Sequence, residues 1–259
     1  MKKKRQNIDH YIHQNHLEEL INFDRKQHHS LKPTDTITGL LKTPFPPEKQ
    51  DLIRLHQLIR NRKPFIVLEF GVGYSTVIIA DALEKNYQEW LKLSSKPLIR
   101  LQHQFQLFCV DASTKWINFT RASLPSSLKK RVTFHHSSVS IATHRGQLCH
   151  YYDQLPNVVP QFVYVDAPDP KQVKGNIRGL NFKCQDRPVM AADLLLMEST
   201  LLPGAFILID GRTNNARFLE RNLERSYKVT WLAKQDVTTF ELIEAPVGKY
   251  NRELLSLKF

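Results

Sequence analysis

The chain has few residues that could cross-link, anchor or export it. Three cysteines, Cys109, Cys149 and Cys184, are scattered over 259 residues with no CxxC pair. So few, so spaced, exclude a disulfide framework and a structural zinc site; Cys109 falls inside an apolar strand and reads as core. No run of about 18 apolar residues occurs, so no membrane-spanning helix is expected. The start, "MKKKRQNIDHYIHQ", is basic but then polar where a signal peptide needs an apolar stretch. An intracellular, cytoplasmic protein is expected. Acids are scarce: 25 Asp and Glu face 37 Lys and Arg, for a formal net charge of +12 and a pI near 9.6. Such a surplus favours an anionic partner, such as a phosphorylated small molecule, an acidic glycan or nucleic acid. No nucleic-acid motif accompanies the charge, so direct DNA or RNA binding is not favoured.

What is present is a core. Apolar residues make up 41%, with 14 Phe, 8 Tyr and 3 Trp, as a folded globular domain requires. No internal repeat or low-complexity tract interrupts it. Residues 1–45 read as a polar N-terminal extension in which "HLEELINF" forms a short helix. His10, His13 and His16 share a helix face there, but with no fourth ligand they read as a solvated face. Residues 46–259 read as one domain. "FPPEKQDLIRLHQLIRNRK" predicts a helix started by Pro46 and Pro47, with Leu52, Ile53, Leu55, Leu58 and Ile59 as its apolar face. From Phe65 short apolar runs at 65–70, 105–111, 131–135, 162–166 and 205–210 alternate with predicted helices at 75–92, 113–122, 189–201 and 214–225. That alternation predicts a parallel sheet with helices on both faces. The last runs, 227–233 and 237–244, are separated only by "KQD", which predicts an antiparallel hairpin.

In such a sheet ligands bind beyond the carboxyl ends of the strands. Four of the five parallel strands end near an acid: Glu69, Asp111, Asp166 and Asp210. Acids are depleted in strands, so their repetition at one edge is the strongest positional signal in the chain. Gly71 and Gly73 allow a tight turn and close approach of a ligand to backbone. Ser75 or Thr76 then offers hydroxyls and backbone N–H groups at the positive end of the next helix, suited to a carboxylate or phosphate. The dinucleotide fingerprint is not met. Its third glycine is replaced by Thr76, and Asp111 lies 40 residues after Gly71 rather than about 20. An insertion around 86–103 accounts for the extra length.

"VLEFGVGYSTVIIADAL" resembles the first motif of class I S-adenosylmethionine-dependent methyltransferases, of an O-methyltransferase-like group. The resemblance continues in order. "FCVDAS" is similar to the second-strand motif, "FVYVDAPDP" to the fourth, "LLPGAFILIDGR" to the fifth, and the closing hairpin to the family's antiparallel seventh strand. It spans about residues 48–245. It implies a Rossmann-like, mostly parallel seven-stranded α/β sheet with helices on both faces and a C-terminal antiparallel hairpin. It also implies S-adenosyl-L-methionine as cofactor. Glu69, Gly71, Gly73, Tyr74 and Ser75 would surround the methionine end, Asp111 would hold the ribose, and Ala112 and Ser113 would lie beside the adenine. Ser137 or Ser138 would lie at the adenine edge, and Asp166 near the sulfonium and the acceptor.

Methyl transfer needs the acceptor held in line and, for a hydroxyl, its proton removed. Asp166 is the first candidate for that role and Asp210 the second. A divalent metal is possible but not favoured, because Gly211 stands where metal-dependent relatives carry a second ligand after Asp210, although Asn214 could substitute. Residues 168–188 carry Lys171, Lys174, Arg178, Lys183 and Arg187 with Gly175 and Gly179, and predict a basic lid over an anionic small-molecule acceptor. Arg212, at the ligand edge, is a further contact for that acceptor. "RTNNARFLERNLER" places Arg217, Arg221 and Arg225 in a row with Glu220 and Glu224 interleaved, which predicts an amphipathic, salt-bridged surface helix rather than a phosphate surface. Three competitors follow: a binding protein of the same fold without transfer, a nicotinamide dehydrogenase, and a nucleic-acid methyltransferase. The intact Glu69, Gly71 and Asp111 oppose the first, and the missing third glycine with the terminal hairpin opposes the second. "DAPDP" lacks the Pro-Pro-aromatic signature of amino-group methylation, which opposes the third.

Overall fold

A computed structural model describes residues 2–21, 48–97, 99–166 and 168–257. The expected helix start at Pro46 and Pro47, the expected boundary at residue 45, and the end of the "HLEELINF" helix fall outside the described residues. Two N-terminal helices, α1 (Lys2–Gln14) and α2 (Glu18–Ile21), precede α3 (Lys49–Arg62). Then come β1 (Ile66–Phe70), α4 (Tyr74–Leu91), β2 (Gln106–Asp111), α5 (Thr114–Ser123) and β3 (Val132–His136). A hairpin of β4 (Val139–His144) and β5 (Gln147–Tyr152) follows, then β6 (Phe162–Val165), β7 (Val173–Lys174) and α6 (Asp193–Met197). The chain closes with β8 (Phe206–Asp210), α7 (Thr213–Asn222), β9 (Tyr227–Leu232), β10 (Val237–Leu242) and α8 (Gly248–Ser256).

The main sheet has seven strands in the order β3-β2-β1-β6-β8-β10-β9. The first five are parallel, and β10 runs antiparallel to both β8 and β9. This is the expected sheet with its expected hairpin. Every residue of β1 is buried, as a strand covered by helices on both faces requires. At the amino ends of β1 and β2, Phe65 packs on Phe105 at 4.4 Å and on Trp90 at 5.2 Å between ring centroids. Burying each such ring contributes about 1.5–3 kcal/mol. This apolar end leaves the opposite, carboxyl edge free for polar work.

α3 buries Leu52, Ile53, Leu55 and Ile59 as its periodicity predicts. It also buries His56, which bonds the Tyr11 hydroxyl at 2.7 Å and Asp81 at 3.0 Å. Through Ile12, Leu17 and Ile21 the N-terminal helices join Leu52, Ile53, Tyr74 and Ile78 in one apolar cluster.

Three expectations are corrected. A second sheet, β5-β4-β7, was not foreseen. The β4–β5 hairpin closes on Arg145 and Gly146, both at positive φ (50° and 76°), a turn whose twist matches its strands. The helix expected over 189–201 shrinks to α6 and one 3-10 turn, because 190–192 pairs along β5 instead: the His150 N–H donates to Met190 O, and the Ala192 N–H to His150 O. The charged row expected to run through Arg225 breaks at Asn222. The buried Glu198 carboxylate takes the N–H groups of Glu224 and Arg225 at 2.8 and 2.9 Å. Glu224 then pairs with Arg145, and Arg225 with Glu244.

Candidate functional site

The site grows from the turn between β1 and α4. Gly71 has φ +108°, a region side chains rarely enter. Gly73 is extended, and a Cβ placed on it would meet nothing within 4 Å, so its bare backbone faces open space. The Gly73 N–H donates to Thr76 Oγ1 at 3.0 Å. That hydroxyl donates in turn to Glu69 Oε2 at 2.7 Å, and Ser75 Oγ donates to Oε1 at 2.5 Å. Cys109 of β2 adds a thiol contact at 3.2 Å. Glu69 is fully buried. It therefore fastens the turn from below rather than facing a ligand, and Ser75 turns inward with it. Burial lifts the Glu69 carboxyl to about 7 against the pull of the two hydroxyls and the thiol. Tyr74 is buried against the N-terminal cluster, so it offers backbone rather than its ring.

Asp111 ends β2 and is 7% exposed. Its Oδ1 accepts the Ser113 N–H at 2.6 Å, and the Val72 backbone also bonds to this carboxylate. Burial raises this carboxyl to about 6, and the Ser113 amide opposes the rise. Ser113 also caps α5, accepting the Trp116 N–H at 3.3 Å. Ala112 lies beside it, its carbonyl 3.3 Å from His136 Nε2. Ser137 is a strut: its hydroxyl accepts the Gln154 N–H and donates to Ser138 O. Ser138 Oγ accepts from Lys174 Nζ at 2.8 Å.

Asp166 follows β6, its N–H bonded to Phe70 O at 3.0 Å. Its side chain is 57% exposed and lies 3.9 Å from Arg212 Nε. Desolvation on the cleft floor lifts the carboxyl to about 6 with Arg212 opposing; that much exposure screens the rise. Arg212 donates to Asp166 O at 2.7 Å and to Pro168 O at 3.4 Å, so it also pins the chain leaving β6. Asp210, at the end of β8, accepts the Tyr164 hydroxyl at 3.1 Å and sits 3.5 Å from Arg54. Burial raises its carboxyl, Arg54 opposing. Glu69, Asp111, Asp166 and Asp210 thus gather at one edge, where Asp166 feels both Asp210 and Asp111. Among the described residues no group of three or more His, Cys, Asp or Glu is placed to hold a metal.

Segment 168–188 is fastened, which corrects the picture of a freely hinged lid. β7 pairs with β4, and Phe182 is buried in the core. Gly175 sits at φ +91° with Ile141 Cγ2 only 2.9 Å from where its Cβ would be, so this glycine serves close packing rather than mobility. Lys171 is exposed, and its N–H is held by Asp169 Oδ1 at 2.9 Å.

The sequence reading missed Arg54, Tyr164, Tyr152 and His150. Tyr164 lies within the fourth-strand motif but read there as core; Arg54, Tyr152 and His150 lie in no motif, and only the fold brings them to this edge. His150 is fully buried beside Phe182, and neither ring nitrogen has a hydrogen-bond partner among the described residues. Burial lowers its pKa to about 3, with Arg212 adding to the fall. An orphaned buried group costs about 1–3 kcal/mol, and an apolar replacement of like shape avoids that cost. His150→Phe is therefore expected to raise the unfolding free energy by about 1 kcal/mol in urea titration. A loss of that size instead would show that the ring has a partner, such as a bound water.

No family model matches the chain, and no curated protein does. Solved structures do resemble it. The SAH-bound methyltransferase PaMTH1 from Podospora anserina aligns over 93% of this chain and 96% of its own, at 14% identity and a TM-score of 0.50. The O-methyltransferase TomG from Streptomyces achromogenes, solved with SAM and involved in tomaymycin synthesis, aligns over 77% and 82%, at 18% identity and a TM-score of 0.43. The likeness to PaMTH1 establishes the fold, a class I methyltransferase-like sheet.

Proposed function

We propose that this protein transfers the methyl group of S-adenosylmethionine to a hydroxyl oxygen of a small acceptor carrying an anionic group. One observation supports the reading: the strand-end acids Asp111, Asp166 and Asp210 lie at the sheet edge that carries the bare glycine turn, with Asp111 buried beside it. The residues fit the cofactor. Gly71, Gly73 and Tyr74 present backbone at the start of the 18-residue α4, whose positive end suits the methionine carboxylate. Asp111 accepts from the ribose hydroxyls. Ala112 and Ser113 flank the adenine, with Ser137 and Ser138 at its edge. Glu69 and Ser75 hold the turn in shape. When bound, the cofactor supplies a sulfonium methyl whose C–S bond breaks as the O–C bond forms, leaving S-adenosylhomocysteine. Asp166 takes the acceptor proton, and Asp210 orients the acceptor. Lys171, Lys174 and Arg212 supply positive charge for its anionic group.

Calorimetric titration tests this. S-adenosylmethionine and S-adenosylhomocysteine should bind at micromolar levels and NAD should not. Asp111→Ala should weaken both sulfur ligands about 100-fold, as loss of two charge-assisted hydrogen bonds requires. Binding of NAD alone would overturn the assignment.

A further inference from the structure

A cavity of about 310 Å³ opens between α1, α3 and the turn joining β9 to β10. That volume lies at the lower end of ligand pockets, which run from about 300 to 1,000 Å³. Five carboxamides line it, Asn7, Gln14, Gln50, Gln57 and Gln235, together with Arg54. The cavity adjoins the proposed site, since Arg54 reaches both Gln235, at 3.2 Å, and Asp210, at 3.5 Å.

The lining chemistry selects a ligand class. A carboxamide carries two donors and an acceptor, so it complements a hydroxyl, which is both. The one cation is already spoken for. Arg54 lies 2.9 Å from Asp51 and 3.5 Å from Asp210, so two carboxylates oppose one guanidinium. A bare anion gains nothing from that wall. What Arg54 retains is a buried Nε–H with no hydrogen-bond partner among the described residues, a single donor left over from its ion pairs. Ile53 and the Tyr11 ring add an apolar surface, as the C–H face of a sugar ring needs. Lys171, Lys174 and Arg212 do not line the cavity.

We propose that this cavity seats the methyl acceptor and that the acceptor's bound portion is a saccharide or similar polyol, one hydroxyl of which lies beside Asp210. The assignment rests on the methyltransferase reading. In transfer the hydroxyl O–H bond breaks, its proton passes to a carboxylate at this edge, and the oxygen takes the methyl as sulfur leaves. The α1 helix, through Asn7, Tyr11 and Gln14, thereby becomes part of the site.

The test uses the full chain with S-adenosylmethionine and four probes: D-glucose, D-glucuronate, glucose 6-phosphate and catechol. Release of S-adenosylhomocysteine is the readout. Turnover with a saccharide is expected, glucose against its two anionic forms showing whether the charge matters. Gln14→Leu with Gln57→Leu should raise the saccharide KM about a hundredfold, tenfold for each lost hydrogen bond, with kcat and cofactor affinity unchanged. Both residues are exposed, so the fold should not suffer. Turnover with catechol alone, or an unchanged KM in the double variant, would overturn the proposal while leaving methyl transfer intact. Failure of the wild type to bind S-adenosylhomocysteine would overturn the cofactor reading instead. The saccharides titrated against the protein alone then judge the cavity: binding lost in the double variant supports it, and no binding refutes it.

Discussion

At pH 6, Glu69→Ala should lower the unfolding free energy by about 3–5 kcal/mol, whereas Glu69→Gln should cost about 1. The difference is chemical. Glu69 is fully buried and receives Ser75, Thr76 and Cys109. Alanine leaves a cavity and strands two hydroxyls, while glutamine keeps the volume and one acceptor oxygen. The same change should reach the cofactor. Thr76 links Glu69 to the Gly73 N–H, so loosening it frees the turn that approaches the ligand. S-adenosylhomocysteine affinity should fall at least tenfold in Glu69→Ala. Denaturant titration and calorimetry on both variants check this, and equal stability of the two would refute the buried network.

The same carboxyl sets a pH dependence. Its folded pKa, about 7, lies above the ordinary 4.5. A raised pKa gives stability that is complete below 4.5 and lost as pH rises to 7, a loss of about 3 kcal/mol. Asp193, also lifted to about 7 by burial, acts in the same direction. His150, lowered to about 3, acts in the opposite one, weakening the fold as pH falls below 6.5. Wild type must therefore be compared with Glu69→Gln, in which the Glu69 contribution alone vanishes.

Legibility divides by the kind of signal. The parallel strands were readable because a strand covered on both faces is a short, near-continuous apolar run, as "FIVLEF" and "AFILID" are but for one acid each, Glu69 and Asp210. The hairpin was readable because "KQD" is too short for a crossover. The β4–β5 hairpin escaped because "VSIATH" and "QLCHYY" mix polar and apolar residues without strict alternation, and Arg-Gly is a quiet turn signal. The helix at 189–201 was over-read because pairing with β5 outweighs local propensity.

At the site, the strand-end acids were legible because acids are rare in strands. Their division of labour was not. Glu69 and Asp111 carry the same charge in the sequence, but Glu69 is saturated by the side chains of its own turn and of β2, while Asp111 is held by backbone N–H groups at the rim. The carboxamide cavity was equally hidden. Asn7 and Gln235 are 228 residues apart, and no spacing rule connects them.

Asp166→Asn should lower kcat by about 10²–10⁴ with cofactor affinity unchanged, as loss of a general base requires. The structure separates it from Asp210. Asp166 has one counter-ion among the described residues, Arg212 at 3.9 Å, and 57% of its side chain is open, so its carboxylate can take a proton and pass it to water. Asp210 is held by the Tyr164 hydroxyl and by Arg54, so its oxygens are already engaged and less free to take the acceptor's proton. Asp210→Asn should therefore act mainly on the acceptor, raising KM by about tenfold, since it weakens the tether on Arg54 at the cavity wall. Steady-state kinetics on the two variants decides between these roles. A kcat collapse in Asp210→Asn with Asp166→Asn near normal would exchange them, and would place the proton acceptor at the mouth of the carboxamide cavity rather than beneath the glycine turn.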